Sequence, residues 1–383
     1  MKSSQHIVIV AAVLLESVFQ LSAQRAVDSA GIRLPRHYFN TVINLDGYRK
    51  PEKDLDTVNR ISRRLQTYGV RQFAISFYTP LMTNVDEDPQ THVTSNSHLL
   101  LTGNIIALRP TFAGIPDHRL MKTGLGLRYI YNTGRKGVWF FDVAPFLTRD
   151  ASYPSRPYLR LAAAFIYSHN VSDRFNWRLG LTKSFMWGNR FYLPFAGIRF
   201  GRLDRVNLSI QIPRCVQLSV PLNMWIISIY TRPQGGMYNF ANSDSLYFRS
   251  DARTFHFTRY ELNTGFRVDG LITSWFNFYV AAGISSRNNI TFYSENANPA
   301  RRKAPYNTYF YARRVDPGLF INLGFVFRFG KTRTYLNDVN LYDAMDVGNT
   351  NDGNRKSNIP LTPRQQSALN LKGIEDLVDY NDL

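Results

Sequence analysis

Six arginines stand at alternate positions within otherwise apolar runs: Arg128, Arg160, Arg178, Arg259, Arg267 and Arg328. A guanidinium group stays charged at any physiological pH and offers five donors in a fixed fork. A set of them can pair with carboxylates, bridge backbone carbonyls or select anions. Only Asp142 and Glu261 accompany them on the polar faces of these runs. Two arrangements follow. In one, Arg–carboxylate and Arg–carbonyl bonds fill and stiffen a narrow interior. In the other, a basic ring lines a passage and selects anions.

Other chemistry finds less support. His37, His92, His98, His118, His169 and His256 lie outside any nucleophile motif, and His98 beside Ser95 and Ser97 is the nearest approach to one. A hydrolase is therefore the weaker expectation, and no catalytic residue is assigned. No pair of histidines or carboxylates repeats at ligand spacing, so no metal or cofactor is expected. The acidic cluster Asp86, Glu87 and Asp88 lacks the spaced pattern of a calcium loop.

The elements that must hold the arginines read as strands. In PGLFINLGFVFRFG, Leu319, Ile321, Leu323, Phe325, Phe327 and Phe329 fall on one face at period two. The other face carries Phe320, Asn322, Gly324, Val326 and Arg328. The same alternation sets Thr123, Leu125, Leu127 and Tyr129 against Gly124, Gly126 and Arg128, and Phe141 and Val143 against Asp142. It sets Leu159 and Leu161 against Arg160, Leu179 and Leu181 against Arg178, and Phe266 and Val268 against Arg267. Val206, Leu208, Ile210 and Ile212 against Asn207, Ser209 and Gln211 is the plainest case.

The context of these runs decides what they build. Lys2, the apolar run Ile7 to Leu15 and the polar stretch ending at Ala23 have the three-part plan of a secretory signal peptide, assigned to 1–23. Nothing beyond it is long and apolar enough for a helical span. The single cysteine, Cys215, excludes an intramolecular disulfide. The net charge of +18 suits acidic headgroups or a basic interior better than nucleic acid, for which no motif is present. Aromatic residues, 14% of the chain, collect near strand ends as interface girdles do. An exported chain of alternating runs of about ten residues each is expected to be all-β, an antiparallel transmembrane β-barrel of about 12 strands, with 10–14 allowed.

The barrel is expected over 71–330, after a periplasmic lead-in at 24–70 and before a largely disordered periplasmic tail at 331–383. Pro80 should end the first strand, and Asp269-Gly270 should form a two-residue hairpin turn. The polar stretches Gln234 to Thr254 and Arg287 to Asp316 read as long outer loops, which puts both termini on the periplasmic side. The six arginines should lie on six different strands.

Two stretches add a resemblance. An LSAQ signal end paired with a closing LFINLGFVFRFGK is similar to exported barrels of the Bacteroidota. More narrowly, PFAGIRFGRLDRVNLSIQIPRCVQLSVPL followed by RPQGGMYNF resembles a Bacteroidota outer-membrane β-barrel family known only as a domain of unknown function. The resemblance implies a fold and a location, and no catalytic residues. The expected partners are outer-membrane lipid, lipopolysaccharide and, during insertion, the barrel-assembly machinery. The expected role is a structural or accessory barrel or a small anion-preferring pore. A lipid or lipopolysaccharide hydrolase and an anchor for a secretion or surface complex are the alternatives.

Overall fold

In the computed structural model, fifteen antiparallel strands form one sheet that closes on itself. The structure describes residues 41–55, 67–87, 94–113, 117–133, 137–153, 156–172, 174–185, 191–201, 206–222, 225–241, 254–272, 276–294 and 310–329. The expected signal peptide and C-terminal tail lie outside them.

The strands are β1 (Thr41–Asp54), β2 (Thr67–Glu87), β3 (Thr94–Phe112), β4 (Leu120–Asn132), β5 (Gly137–Asp150), β6 (Tyr158–Ser172), β7 (Phe175–Ser184) and β8 (Phe191–Gly201). After them come β9 (Asn207–Ile212), β10 (Cys215–Leu222), β11 (Trp225–Ala241), β12 (Thr254–Leu271), β13 (Phe276–Ser294), β14 (Phe310–Val315) and β15 (Gly318–Phe329). Each pairs with its sequence neighbour as far as β13, and β15 pairs with both β13 and β1, so fourteen strands complete the ring. The remaining one, β14, lies outside that count. It pairs with the upper part of β13 in line with β15, across Asp316 and Pro317.

The ring therefore has fourteen strands rather than about twelve. One addition is β1, which lies inside the stretch expected as a lead-in. Its inward side chains include Asp46, Tyr48 and Lys50, so charge that suggested a solvated segment in fact faces the interior. The region 191–231 also divides more finely than its apolar runs suggest, with β9 and β10 turning at Pro213 and Arg214. Pro80 does not end β2. Pairing with β3 shifts register between Pro80 and Met82 and continues to Glu87, as a bulge allows. Asp269 and Gly270 belong to β12, opposite Tyr279 and Phe278. A Cβ at Gly270 would stand 2.5 Å from Phe278 Cε1 and 2.8 Å from Trp225 Cζ3, so glycine there makes room for two rings rather than a turn.

Outward side chains form an apolar belt. Leu125, Leu127, Leu159, Leu179, Leu181 and Ile212 are all exposed, as are Leu319 and Ile321 of β15, at 67% and 60%. Along β4 the buried and exposed positions alternate for thirteen residues, with Lys122, Arg128 and Asn132 inward. In water this surface would be a large apolar patch; against lipid it is the required exterior. Each strand of the ring pairs with a neighbour on both sides over at least part of its length, the other requirement for a strand-built span. At the end where Thr41 pairs with Phe329, the belt is rich in rings. Trp139 lies 5.4 Å from Phe165 and 4.5 Å from Tyr167, and Phe276 lies 5.2 Å from Phe327.

Candidate functional site: a barrel interior closed by its own hairpin

The interior is shaped by the upper part of β11 and β12. Below Thr231, β11 pairs with β10 as part of the wall; above it, β11 keeps only β12 as a described partner and contacts β4 and β5 instead. The β11–β12 register runs unbroken from Trp225–Gly270 to Ala241–Thr254, so the two strands form one continuous hairpin ladder. The β12–β13 pairing shifts between Tyr260 and Leu262, opposite Arg287, whose φ is 49°. A bulge bends a strand and increases its twist, and this one sits where the hairpin leaves the wall. Pro233 to Ala241 are nearly all buried, and Phe255 to Arg259 are buried at every position. Side chains of a wall strand alternate in exposure, whereas these are covered on both faces.

The two faces of the hairpin differ. Tyr238, Phe240, Phe255 and Phe257 share one face by their pairing and join a buried cluster with Tyr48, Tyr68, Leu108, Phe112, Leu120 and Phe292. Phe112 touches Phe240, Phe257 and Phe292 at ring distances of 6.5, 6.2 and 5.8 Å. The opposite face carries Met237, Asn239 and His256 toward β5 and β6. There Arg160 donates to Thr148, to Asn239 Oδ1 at 3.0 Å and to His256 Nδ1 at 3.1 Å. Met237 packs on Phe146, Ala162 and Phe185.

The hairpin's far end is held by Asp150. Its Oδ2 accepts the backbone N–H of Ala241 at 3.2 Å and lies 2.5 Å from His118 Nδ1. The His118 ring stacks on Phe240 at 3.8 Å. No short motif marks this pair, because its members stand thirty-two residues apart, one just before β4 and the other at the end of β5.

The sequence-selected residues divide into separate groups. Arg128 donates Nε–H to Asp142 Oδ2 at 2.7 Å, with Nη2 at 2.5 Å, and both side chains are fully buried. Arg178 donates to Asn176 Oδ1 at 3.1 Å, and Asn176 donates in turn to Ser168 and Asn170. Arg267 chelates Asp269 on its own strand, at 2.9 and 2.6 Å to Oδ1. Arg259 lies on the hairpin's aromatic face. It donates to Gln72 at 2.8 Å, and its guanidinium carbon stands 5.6 Å from the centre of the Tyr48 ring. Glu261 accepts the Tyr48 hydroxyl at 2.7 Å and lies 3.8 Å from Lys50. Arg328 sits in register with Val42 on β15; its side chain is outside the described residues.

Three expectations need correction. Arg259 and Arg267 share β12, so the arginines do not occupy six strands. The stretch Gln234 to Thr254, expected as an outer loop, begins with eight residues of β11 folded into the interior. The inward acids also number more than Asp142 and Glu261, since Asp46 and Asp150 are buried and Asp269 is half-buried beside Arg267. Cations still prevail: among the described residues nine Lys and Arg side chains are buried against four carboxylates. His98 is buried on β3, while Ser97 takes the opposite face as its neighbour in the strand, so the two do not form a nucleophile–base pair.

An antiparallel closed barrel with an apolar exterior and a polar, buried interior defines the class: a transmembrane β-barrel. The chain matches no protein-family model and no curated protein sequence. Among solved structures it is similar to OpdQ of Pseudomonas aeruginosa, at 8% identity, TM-score 0.29, over 76% of this chain and 98% of that one. A bacterial polysaccharide outer membrane secretin gives 8%, 0.29, 77% and 100% in the same order, and a Pseudomonas aeruginosa FadL homologue gives 11%, 0.24, 76% and 91%. At those TM-scores the overlaps carry no argument, and the barrel rests on this chain's own strand pairing.

Proposed function

We propose that the protein is an outer-membrane barrel, closed in its resting state by its own β11–β12 hairpin, that serves as a structural or accessory component. The covered faces of Pro233 to Ala241 carry this reading, because a strand pair buried on both sides inside the ring occupies the space a pore would need. Both termini belong on the periplasmic side. Thr41 and Phe329 lie at one end, and the strand ends that bound 56–66, 242–253 and 295–309, the longest intervals between strands, lie at the other, as in barrels with short periplasmic turns and long outer loops. No enzymatic step enters this reading, and no cofactor or metal.

The anion-preferring pore is kept as a second reading because buried cations outnumber buried carboxylates. It requires the hairpin to leave the interior. Purified protein in a planar bilayer under a salt gradient decides between them. Silence is expected of the sealed barrel. Steady conductance with anion preference in the unaltered chain would replace the first reading with the second, and cation preference would overturn both.

A further inference from the structure

Besides the inward arginines there is an outward set. Arg49 of β1 pairs directly with Arg71 of β2, and Arg71 with Arg109 of β3. Arg149 of β5 faces the same way opposite Met121, and Arg119 lies just before β4. All five are exposed, and none makes a side-chain hydrogen bond, ion pair or ring contact with another described residue. Like charges directly opposed on neighbouring strands destabilise a sheet. Here three stand in one row, and Glu52, three residues on from Arg49, accepts a hydrogen bond from Thr67 at 2.9 Å. Among the described residues no carboxylate pairs with the row.

The position of the row says what brings it. Toward the termini on the same outer face lie Phe73, Ile105, Leu125 and Leu147, all exposed members of the apolar belt. The arginines therefore mark the edge of that belt, at the end opposite the termini, whereas the terminal edge carries Trp139, Tyr167 and Phe276. With strands about 4.8 Å apart, Arg49, Arg71 and Arg109 span about 10 Å, so several forks face outward in one plane. Guanidinium forks match phosphate oxygens bidentately. A ligand with acyl chains to lie along Phe73 and Ile105 and with more than one phosphate in its headgroup satisfies both parts of this surface.

We propose that the row Arg49–Arg71–Arg109, extended by Arg119 and Arg149, docks the phosphorylated headgroup of lipopolysaccharide in the outer leaflet. This rests on the outer-membrane reading above, which orients that end outward. It adds a defined lipid site on one side of the barrel, over β1 to β5, where no described carboxylate pairs with the arginines.

The test uses the full-length protein folded in detergent, with folding scored independently by heat-modifiable migration. Three probes are compared by native mass spectrometry: bisphosphorylated lipid A, its dephosphorylated form and phosphatidylglycerol. Bisphosphorylated lipid A should be retained best. The triple variant R49Q/R71Q/R109Q should lose on the order of a hundredfold in retention, since each cation near an anionic lipid surface contributes about one order of magnitude or slightly less. The lysine triple variant should recover part of it, keeping the charge and losing the fork. Equal retention of the dephosphorylated form, or no loss in the folded glutamine variant, would overturn the proposal. Equal retention of phosphatidylglycerol would overturn the choice of lipopolysaccharide. Folded protein that fails to insert into liposomes would instead overturn the membrane reading, and this site with it.

Discussion

The interior has two regions built on different principles. Toward the termini, inward side chains bond mainly to near neighbours on their own or the adjoining strand: Arg178 with Asn176, Gln217 with Ser219, Ser219 with Ser228 and Arg267 with Asp269. At the other end, the hairpin links walls that are far apart in the chain. Tyr48 meets Glu261, Gln72 meets Arg259, Phe112 meets Phe240, and Asp150 meets Ala241. Short-range polar ladders line a wall without filling it. Aromatic packing at the other end spans the ring. The same inward period-two positions serve both ends, and the hairpin alone makes the difference.

Removing Leu319 to Phe329 should have the largest effect, because it leaves β1 and the lower half of β13 as open edges in lipid. Membrane insertion, followed by fractionation and heat-modifiable migration, should be lost altogether. Deleting Gly235 to Arg259 is the sharper cut, since it takes the hairpin and leaves the lower β11–β12 pairing from Gln234 and Glu261 downward. That variant should still insert, and conductance should appear where the unaltered barrel is silent.

Substitutions grade the comparison further. Phe257→Ala empties part of the aromatic cluster and should cost about 3–5 kcal/mol, read as a lower temperature of the gel shift. Asp142→Ala leaves Arg128 buried without its carboxylate and should cost a similar amount, about 3–5 kcal/mol. The double change R128M/D142L should recover most of that loss. Ser219→Ala, in the ladder near the termini, removes two hydroxyl bonds, with Gln217 and Ser228, and should cost about 1–2 kcal/mol.

Much of this was legible where the two faces of a strand meet different solvents. From β4 to β10, lipid outside and polar interior inside write the alternation into the residues, and Arg128, Arg160 and Arg178 fall on its buried side. The pattern fails where that contrast fails. The run of β1 carries Asp46, Arg49, Lys50, Glu52 and Lys53, and its far half extends beyond the apolar belt, so it reads as a charged linker. The inward hairpin has protein on both faces, and its sequence, glycines followed by alternating Tyr, Asn, Phe and later Phe, His, Phe, reads as a loop with scattered rings. Nor can one strand show which distant wall it touches. The pairing of His118 with Asp150 needs only the β4–β5 ladder, in which Leu120 opposes Asp150, whereas that of Asp150 with the hairpin backbone crosses the ring.

The inward hairpin is the central claim, and a cross-link tests it most directly. Thr148 on the wall and Asn239 on the hairpin bring Oγ1 and Oδ1 within 3.5 Å. In a background with Cys215→Ser, the pair T148C/N239C should form an intramolecular disulfide in intact membranes, and neither cysteine should react with a membrane-impermeant maleimide. Failure to cross-link in a correctly inserted barrel, together with labelling of N239C from outside, would show the hairpin standing clear of the interior and would contradict the sealed barrel.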